Sequence, residues 1–297
     1  MQIYRTDQHP LPLPAGHRFP AGKYRQLFDA VQPFAANLIV DAPAASDAEL
    51  LAAHTPDYLA RLGNGTLSKA EERAIGLPWS AQLVSRSRHS TGATLAACRS
   101  ALLEGCGINL AGGTHHAYAD HGSGFCVFND SAVALRVLQH EAAISRALVI
   151  DLDVHQGNGT AAMLADAPTL FTFSMHGQNN FPFQKERSDW DIELADGTGD
   201  DEYLAALAGA LPQLLSLSQP DLVIYLAGAD SYAGDRLGKL ALSMQGLAER
   251  DALVLDTCQR FGLPLAITMG GGYATPIEDT VAIQAGTVRQ ACTRYAA

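Results

Sequence analysis

The segment Ala147-Leu-Val-Ile-Asp-Leu-Asp-Val-His155 sets a carboxylate and an imidazole two residues apart at the end of a short apolar run. On extended backbone, residues i and i+2 point to the same side, so Asp153 and His155 converge on one point. A third ligand is available in Gly228-Ala-Asp230, at the end of another apolar run. One imidazole and two carboxylates form a mixed nitrogen and oxygen donor set with room for water. Three protein ligands plus water is the catalytic zinc arrangement, whereas four protein ligands mark a structural site. Affinity order alone leaves iron or cobalt open. An isolated Asp-x-His is more often a strand-end turn with a capping carboxylate. Here Gly157-Asn158-Gly159 follow at once, and other polar clusters complete a site.

His115-His116 is a tandem pair behind Gly112-Gly113. Neighbouring side chains on extended backbone point apart, so both imidazoles reach one cleft only if the chain bends, and paired glycines permit the bend. Beside a metal-activated water, histidines are natural proton carriers because their pKa lies near neutrality. Asp151 and Asn158 are the candidates to orient them. Gly270-Gly-Gly-Tyr273 is a close-approaching turn that could present the Tyr273 hydroxyl to a developing oxyanion. The chain contains neither GxGxxG nor GxxxxGK[ST], which argues against a phosphate cradle. Phe125, in Ser123-Gly124-Phe125-Cys126, and the Phe181-Pro182-Phe183 segment fit an apolar channel and ordinary core packing equally well. Cys126 reads as a small buried residue, since no nucleophile motif surrounds it.

These residues need a scaffold. Short apolar runs at Leu38–Val40, Ile108–Leu110, Ala147–Ile150, Leu170–Phe173, Leu222–Leu226 and Leu265–Met269 are bounded by Gly, Asp or Pro and read as buried strands. The longer amphipathic stretches Ala21–Val31, Trp79–Glu104, Asp130–Glu141, Glu202–Leu217, Met244–Phe261 and Ile277–Arg294 read as helices, and Pro10 to Pro20 as a loop. Such alternation implies a mostly parallel sheet of about eight strands with helices on both faces. Each polar cluster then sits just past the carboxyl end of a strand, where open parallel sheets bind ligands.

A length of 297 residues with 47% hydrophobic and 17% charged residues suits one globular domain spanning 1–297. No apolar run is long enough to span a membrane, and the amino terminus lacks the pattern of a secretory signal. Five scattered cysteines with no CxxC pair fit a reducing cytoplasm. A net charge of −11 argues against a broad nucleic-acid-binding face, serves solubility, and would mildly favour approach of a cationic substrate. Nothing in the sequence sets an oligomeric state.

Taken together, Gly112-Gly-Thr-His-His-Ala117, Gly124-Phe-Cys-Val-Phe-Asn-Asp130, Asp151-Leu-Asp-Val-His-Gln-Gly-Asn-Gly159, Gly228-Ala-Asp230 with Gly234-Asp235, and Gly270-Gly-Gly-Tyr273 resemble the zinc-dependent histone deacetylases of the arginase/deacetylase fold. The form of the central motif and the compact length look most like class IV and its bacterial relatives. The resemblance implies one zinc per chain on Asp153, His155 and Asp230, and a catalytic pair in His115 and His116. It makes Tyr273 the transition-state tyrosine. It implies a structural potassium ion near Asp151 and Ser174, with main-chain carbonyls of Asp151, Asp153, His155 and Met175. Gly124 and Phe125 match one tunnel wall; Phe181 or Phe183 matches the other, although the spacing departs from the class I pattern. Asn158 stands where class I enzymes carry an aspartate. An amide cannot stabilise an imidazolium as a carboxylate does, so His116 should stay neutral more easily and serve as general base.

The implied activity is hydrolysis of an acyl-lysine amide by metal-activated water. His116 takes the water proton, Tyr273 donates to the oxyanion, and the histidine pair protonates the leaving amine. The substrate is an acylated lysine or another acylated amine. Alternatives are an acetylpolyamine or other small-molecule amidohydrolase on the same fold, a two-manganese ureohydrolase, and a catalytically silent binding module. Loss of one oxyanion donor typically costs about 10²–10³ in turnover. Tyr273→Phe should therefore leave the zinc content unchanged and lower kcat by about that factor; a fully active variant would remove Tyr273 from the mechanism.

Overall fold

A computed structural model describes residues 1–14 and 16–296. Eight strands form one sheet in the order β2-β1-β3-β8-β7-β4-β5-β6. They are β1 (Gln2–Arg5), β2 (Ile39–Asp41), β3 (Cys106–Asn109), β4 (Ala147–Asp151), β5 (Leu170–Gly177), β6 (Trp190–Leu194), β7 (Leu222–Leu226) and β8 (Leu265–Thr268). Every neighbouring pair is parallel. The helices are α1 (Lys23–Ala35), α2 (Asp47–Leu51), α3 (Pro56–Asn64), α4 (Lys69–Ile75), α5 (Ala81–Glu104), α6 (Asp130–His140), α7 (Asn158–Leu164), α8 (Asp200–Ser218), α9 (Met244–Arg260) and α10 (Ile277–Tyr295). None is long and apolar enough to cross a membrane.

The central strands are apolar up to their carboxyl ends because both faces are covered. In β4, Leu148 and Ile150 enter one core while Ala147 and Val149 enter the other. In β7 the same alternation divides Val223 and Tyr225 from Leu222 and Ile224. The first core packs against α1, α8, α9 and α10, the second against α2 to α7. The expected runs all became strands, with ends shifted by a few residues. Two strands went unread. β6 (Trp-Asp-Ile-Glu-Leu) alternates apolar and polar residues as a half-covered edge strand does, so a search for continuous apolar runs passes over it. β1 is four residues long, with two polar ends around Ile3 and Tyr4. Among the short helices that were also unread, α2 and α4 carry capping boxes, Ser46 with Glu49 and Ser68 with Glu71. That spacing was visible in the sequence.

The order of strands decides where the site forms. β3, β8, β7 and β4 are neighbours, so the loops after them emerge side by side although the chain separates them widely. Those loops carry His115–His116, Tyr273, Asp230 and Asp153–His155.

α5 lies close against β3. A Cβ on Gly107 would stand 2.1 Å from the main-chain oxygen of Ala97, which cannot yield without moving the helix. Gly107→Ala should therefore lower stability by roughly 1–3 kcal/mol in urea denaturation, as overpacking does. Gly209, exposed in α8, has nothing within 4 Å of a built Cβ. Gly209→Ala should raise stability by roughly 0.5–1 kcal/mol. Equal effects at the two positions would contradict the packing described.

Candidate active site

Asp153 and Asp230 lie side by side in the interior, 1% and 0% exposed, with His155 against both. Asp153 Oδ2 accepts from the Gly271 amide at 2.7 Å, and Asp153 Oδ1 lies 2.9 Å from His155 Nδ1. Asp230 Oδ1 accepts from the Val154 amide at 2.9 Å. Asp230 Oδ2 is buried and accepts no hydrogen bond, although His155 Nδ1 lies 3.2 Å away. The turn after β8 must be glycine, since a Cβ at Gly271 would stand 1.8 Å from Asp230 Oδ2.

The electrostatics call for a cation. Burial, followed by the neighbouring Asp153, pushes the Asp230 carboxyl up to about 7. Burial would lower the His155 imidazole, but the adjoining carboxylates of Asp153 and Asp230 overcome this and raise it to about 10. The two carboxylates thus draw positive charge onto the nearest group that can supply it. Asp153, His155 and Asp230 offer ligand atoms within 4.8 Å of one another. Two carboxylates, one imidazole and an unsatisfied carboxylate oxygen fit a divalent metal with one position left for water. Among the described residues this is the one such cluster. Asp151, the spare carboxylate a second metal would need, is engaged with His115.

The histidines sit beside this group with their rings 4.1 Å apart. Gly112 and Gly113 have φ of 76° and 71°, the left-handed bend that turns both imidazoles into the cleft. Asp130, wholly buried, clamps the bend by accepting from the amides of Gly113 and Thr114 at 2.9 and 2.8 Å. His115 Nδ1 meets Asp151 Oδ2 at 2.7 Å, and His116 Nδ1 meets Asn158 Oδ1 at 2.6 Å. These partners push the two rings apart in acidity. Burial would lower His115, but Asp151 and then Asp153 outweigh it and raise the ring to about 9. His116 is held well below the ordinary value by burial, then by the nearby charges of His115 and His155. With its Nδ1–H donating to Asn158 Oδ1, His116 keeps a lone pair on Nε2. An imidazole held toward its neutral form therefore stands next to one held toward its protonated form.

Tyr273 closes the other side. Its amide donates to Asp235 Oδ2 at 2.5 Å, and its ring lies 6.0 Å from Phe125 and 6.3 Å from Phe19. Burial, with Asp230 and Asp153 nearby, raises the phenol well above its usual value, so it remains a hydrogen-bond donor. These groups line a cavity of about 660 Å³, the size of a small-molecule site. Gly124 and Phe125 form one wall, and Phe181 forms the other with its ring edge-on to His116 at 4.9 Å. Phe183 is at the mouth, 87% exposed. Phe125 has φ of 68°, a left-handed conformation costing a non-glycine residue about 1–3 kcal/mol. Amides of Gly124 and Phe125 hold it there by donating to Ala74 and Ile75.

Ser174 lies beside Asp151 across β4 and β5, and its hydroxyl meets His176 Nδ1 at 2.9 Å; Met175 is fully buried next to it. Sequence reasoning passed over Asp130, Asp235, Lys23 and the charged mouth. The first two lie within recognised motifs, and a carboxylate following a glycine-rich or capping segment was the available signal. Lys23 carried no signal, because a lysine at a helix start is ordinarily solvated. The charges lining the mouth are Arg18, Arg73 and Lys239, all exposed, so the cavity opens through cationic residues despite the negative net charge of the chain.

The histone deacetylase domain family matches residues 17–287. An uncharacterized protein of Picosynechococcus sp. is 47% identical over 285 residues, covering 94% of each chain. The acetoin utilization protein AcuC of Bacillus subtilis is 31% identical over 269 residues, 83% of this chain and 69% of its own. Histone deacetylase 2 of Arabidopsis thaliana is 35% identical over 244 residues, and the match spans 63% of its length. The crystal structure of an HDAC homologue from Aquifex aeolicus superposes with a TM-score of 0.85 over 99% of this chain and 84% of its own, at 24% identity, a likeness of fold. With the family matched across most of its length, this chain belongs to the histone deacetylases.

Proposed function

We propose that this deacetylase hydrolyses the amide of an acyl-lysine in a protein or peptide, with zinc held by Asp153, His155 and Asp230. Family membership makes the chain an amidohydrolase. The observation that carries the finer reading is the paired imidazoles, His115 on the Asp151 carboxylate and His116 on the Asn158 amide, beside one metal-ligand cluster in an apolar-walled cavity. Bound zinc supplies an acidified water and polarises the acyl carbonyl. The chain's own groups do the rest. Phe125 and Phe181 hold the alkyl stem. His116 Nε2 removes the proton from the water as it adds to the acyl carbon. The Tyr273 hydroxyl donates to the oxygen on which charge develops. The carbon–nitrogen bond then breaks as the histidine pair protonates the departing amine, with Asp151 and Asn158 holding the two rings in orientation. A structural potassium ion belongs to the same reading, held by Asp151, Ser174 and main-chain carbonyls of Asp151, Asp153, His155 and Met175. So do one catalytic domain over residues 1–297 and a cytoplasmic location. Five free cysteines, four of them buried, support a reducing compartment.

The cationic mouth bears on the choice of amine. A polyamine carries several positive charges and would approach Arg18, Arg73 and Lys239 against repulsion. Acetyl-lysine peptides should therefore exceed N-acetylated polyamines by at least about tenfold in kcat/KM. Reversing Arg73 and Lys239 to Glu should narrow that gap. Asp153→Ala should lose bound zinc on dialysis and show no turnover. A zinc-free yet fully active protein, or a preference for polyamines, would overturn the assignment.

A further inference from the structure

Two cationic side chains lie inside the protein without a carboxylate partner. Arg86 on α5 is 4% exposed, forms no ion pair among the described residues, and has a buried Nη1 with no hydrogen-bond partner. Asp7, the acidic group whose field reaches it, is already taken by Arg5 and Arg25. Lys23 is 2% exposed, and its Nζ reaches main-chain oxygens of Gly272 at 3.3 Å and Gly270 at 3.5 Å. Both cations face one ring: the Arg86 guanidinium lies 4.3 Å and Lys23 Nζ 5.5 Å from the centre of Tyr24. A buried charge without a counterion is strongly unfavourable. The chain has 31 acidic residues against 20 Lys and Arg, so a shortage of carboxylates does not explain the missing partner.

The empty position lies beside the active site. Arg86 lines a cavity of about 40 Å³, together with Ser87, Ser90 and Thr114. That volume admits a group little larger than a water molecule. The small cavity shares Phe19, Tyr24, Thr114 and Phe125 with the large one. The large cavity is lined by exposed Arg18 and Arg73, by Tyr273 and the metal ligands, and by buried Lys23 and Gly113. An acyl group with its carbonyl at the metal ligands and its amine toward the exposed cations would turn its tail to the buried side, where Lys23 and Tyr24 line the cavity and Arg86 stands against Tyr24.

We propose that the inner chamber is a carboxylate-binding subsite, with Arg86 as the specificity-determining residue, and that the preferred acyl groups are short dicarboxylic chains such as succinyl or glutaryl. The proposal rests on the amide hydrolysis described above. Water adds to the acyl carbon, the carbon–nitrogen bond breaks, and the products are a lysine amine and a free dicarboxylate. Arg86 Nη1 donates to the terminal carboxylate, a charge-assisted bond of the stronger kind, and Lys23 adds its field.

The test uses the zinc-loaded full chain and two peptides, one with glutaryl-lysine and one with pentanoyl-lysine, which match in length and differ in ending in a carboxylate or a methyl group. The glutaryl peptide should be favoured at least about tenfold in kcat/KM, the worth of one charge-assisted hydrogen bond. Arg86→Met should bring the ratio to one or below, and Arg86→Lys should restore part of it. A pentanoyl peptide cleaved as well as the glutaryl one, or a preference that survives Arg86→Met, overturns the proposal. Should Arg86→Met fail to fold, the ratio in the unmodified chain decides. Calorimetric titration with glutarate and pentanoate supplies a reading without turnover, in which glutarate should bind more tightly and only while Arg86 is present; equal affinities overturn the subsite. The two readings fail separately. Cleavage of acetyl- and pentanoyl-lysine without a glutaryl preference leaves the hydrolase reading and removes the subsite. An Arg86-dependent advantage for glutarate with no peptide cleaved does the reverse.

Discussion

The cost of burying Asp153 and Asp230 next to each other governs this molecule. Two carboxylates out of water cannot both keep their charge unless positive charge lies between them. The fold sets them there regardless, by ending β4 and β7 side by side and by supplying glycine at position 271, where any side chain would collide with Asp230. Arg250, wholly buried beside Asp251, braces the arrangement from behind by donating to the Gly228 carbonyl at 2.6 Å. A cluster so expensive for protein groups alone becomes favourable once a metal fills it, which links the stability of the site to its occupancy.

The same charge economy separates the two histidines. They are adjacent in sequence, equally buried and in ring contact, yet one faces a carboxylate and the other an amide. Asp151 draws positive charge toward His115, while burial, and after it the charge of His115, holds His116 toward its neutral form. Asn158 completes the division, because its amide can orient a ring without paying for a second imidazolium. The opposite leanings of the two rings thus follow from burial together with the different partners, carboxylate and amide, that hold them.

Much of this was legible in the chain. Buried parallel strands betray themselves as continuous apolar runs, and the polar residues that interrupt them mark the carboxyl edge of the sheet; Asp151, Asp153 and His155 were readable for that reason. The edge strand β6 was not, since a half-covered element shares its pattern with loops, and the short helices around residues 47–75 showed only in the capping boxes that open two of them. Pairing of distant parts is harder still. No local signal joins Arg86 on α5 to Lys23 and Tyr24 on α1, or sets Arg18, Arg73 and Lys239 around one opening. Net charge pointed the other way there, because a sum over the surface says nothing about the sign at a particular mouth. Such features exist only once the sheet order has brought remote segments together.

The central claim is that Asp153, His155 and Asp230 close around one divalent ion. Anomalous diffraction at the zinc edge from crystals of the zinc-loaded chain tests it directly. The account predicts one strong peak bonded at about 2.0–2.2 Å to a carboxylate oxygen of Asp153, to His155 Nδ1 and to a carboxylate oxygen of Asp230. A peak held by other residues, or none in a protein that still hydrolyses amides, would contradict it.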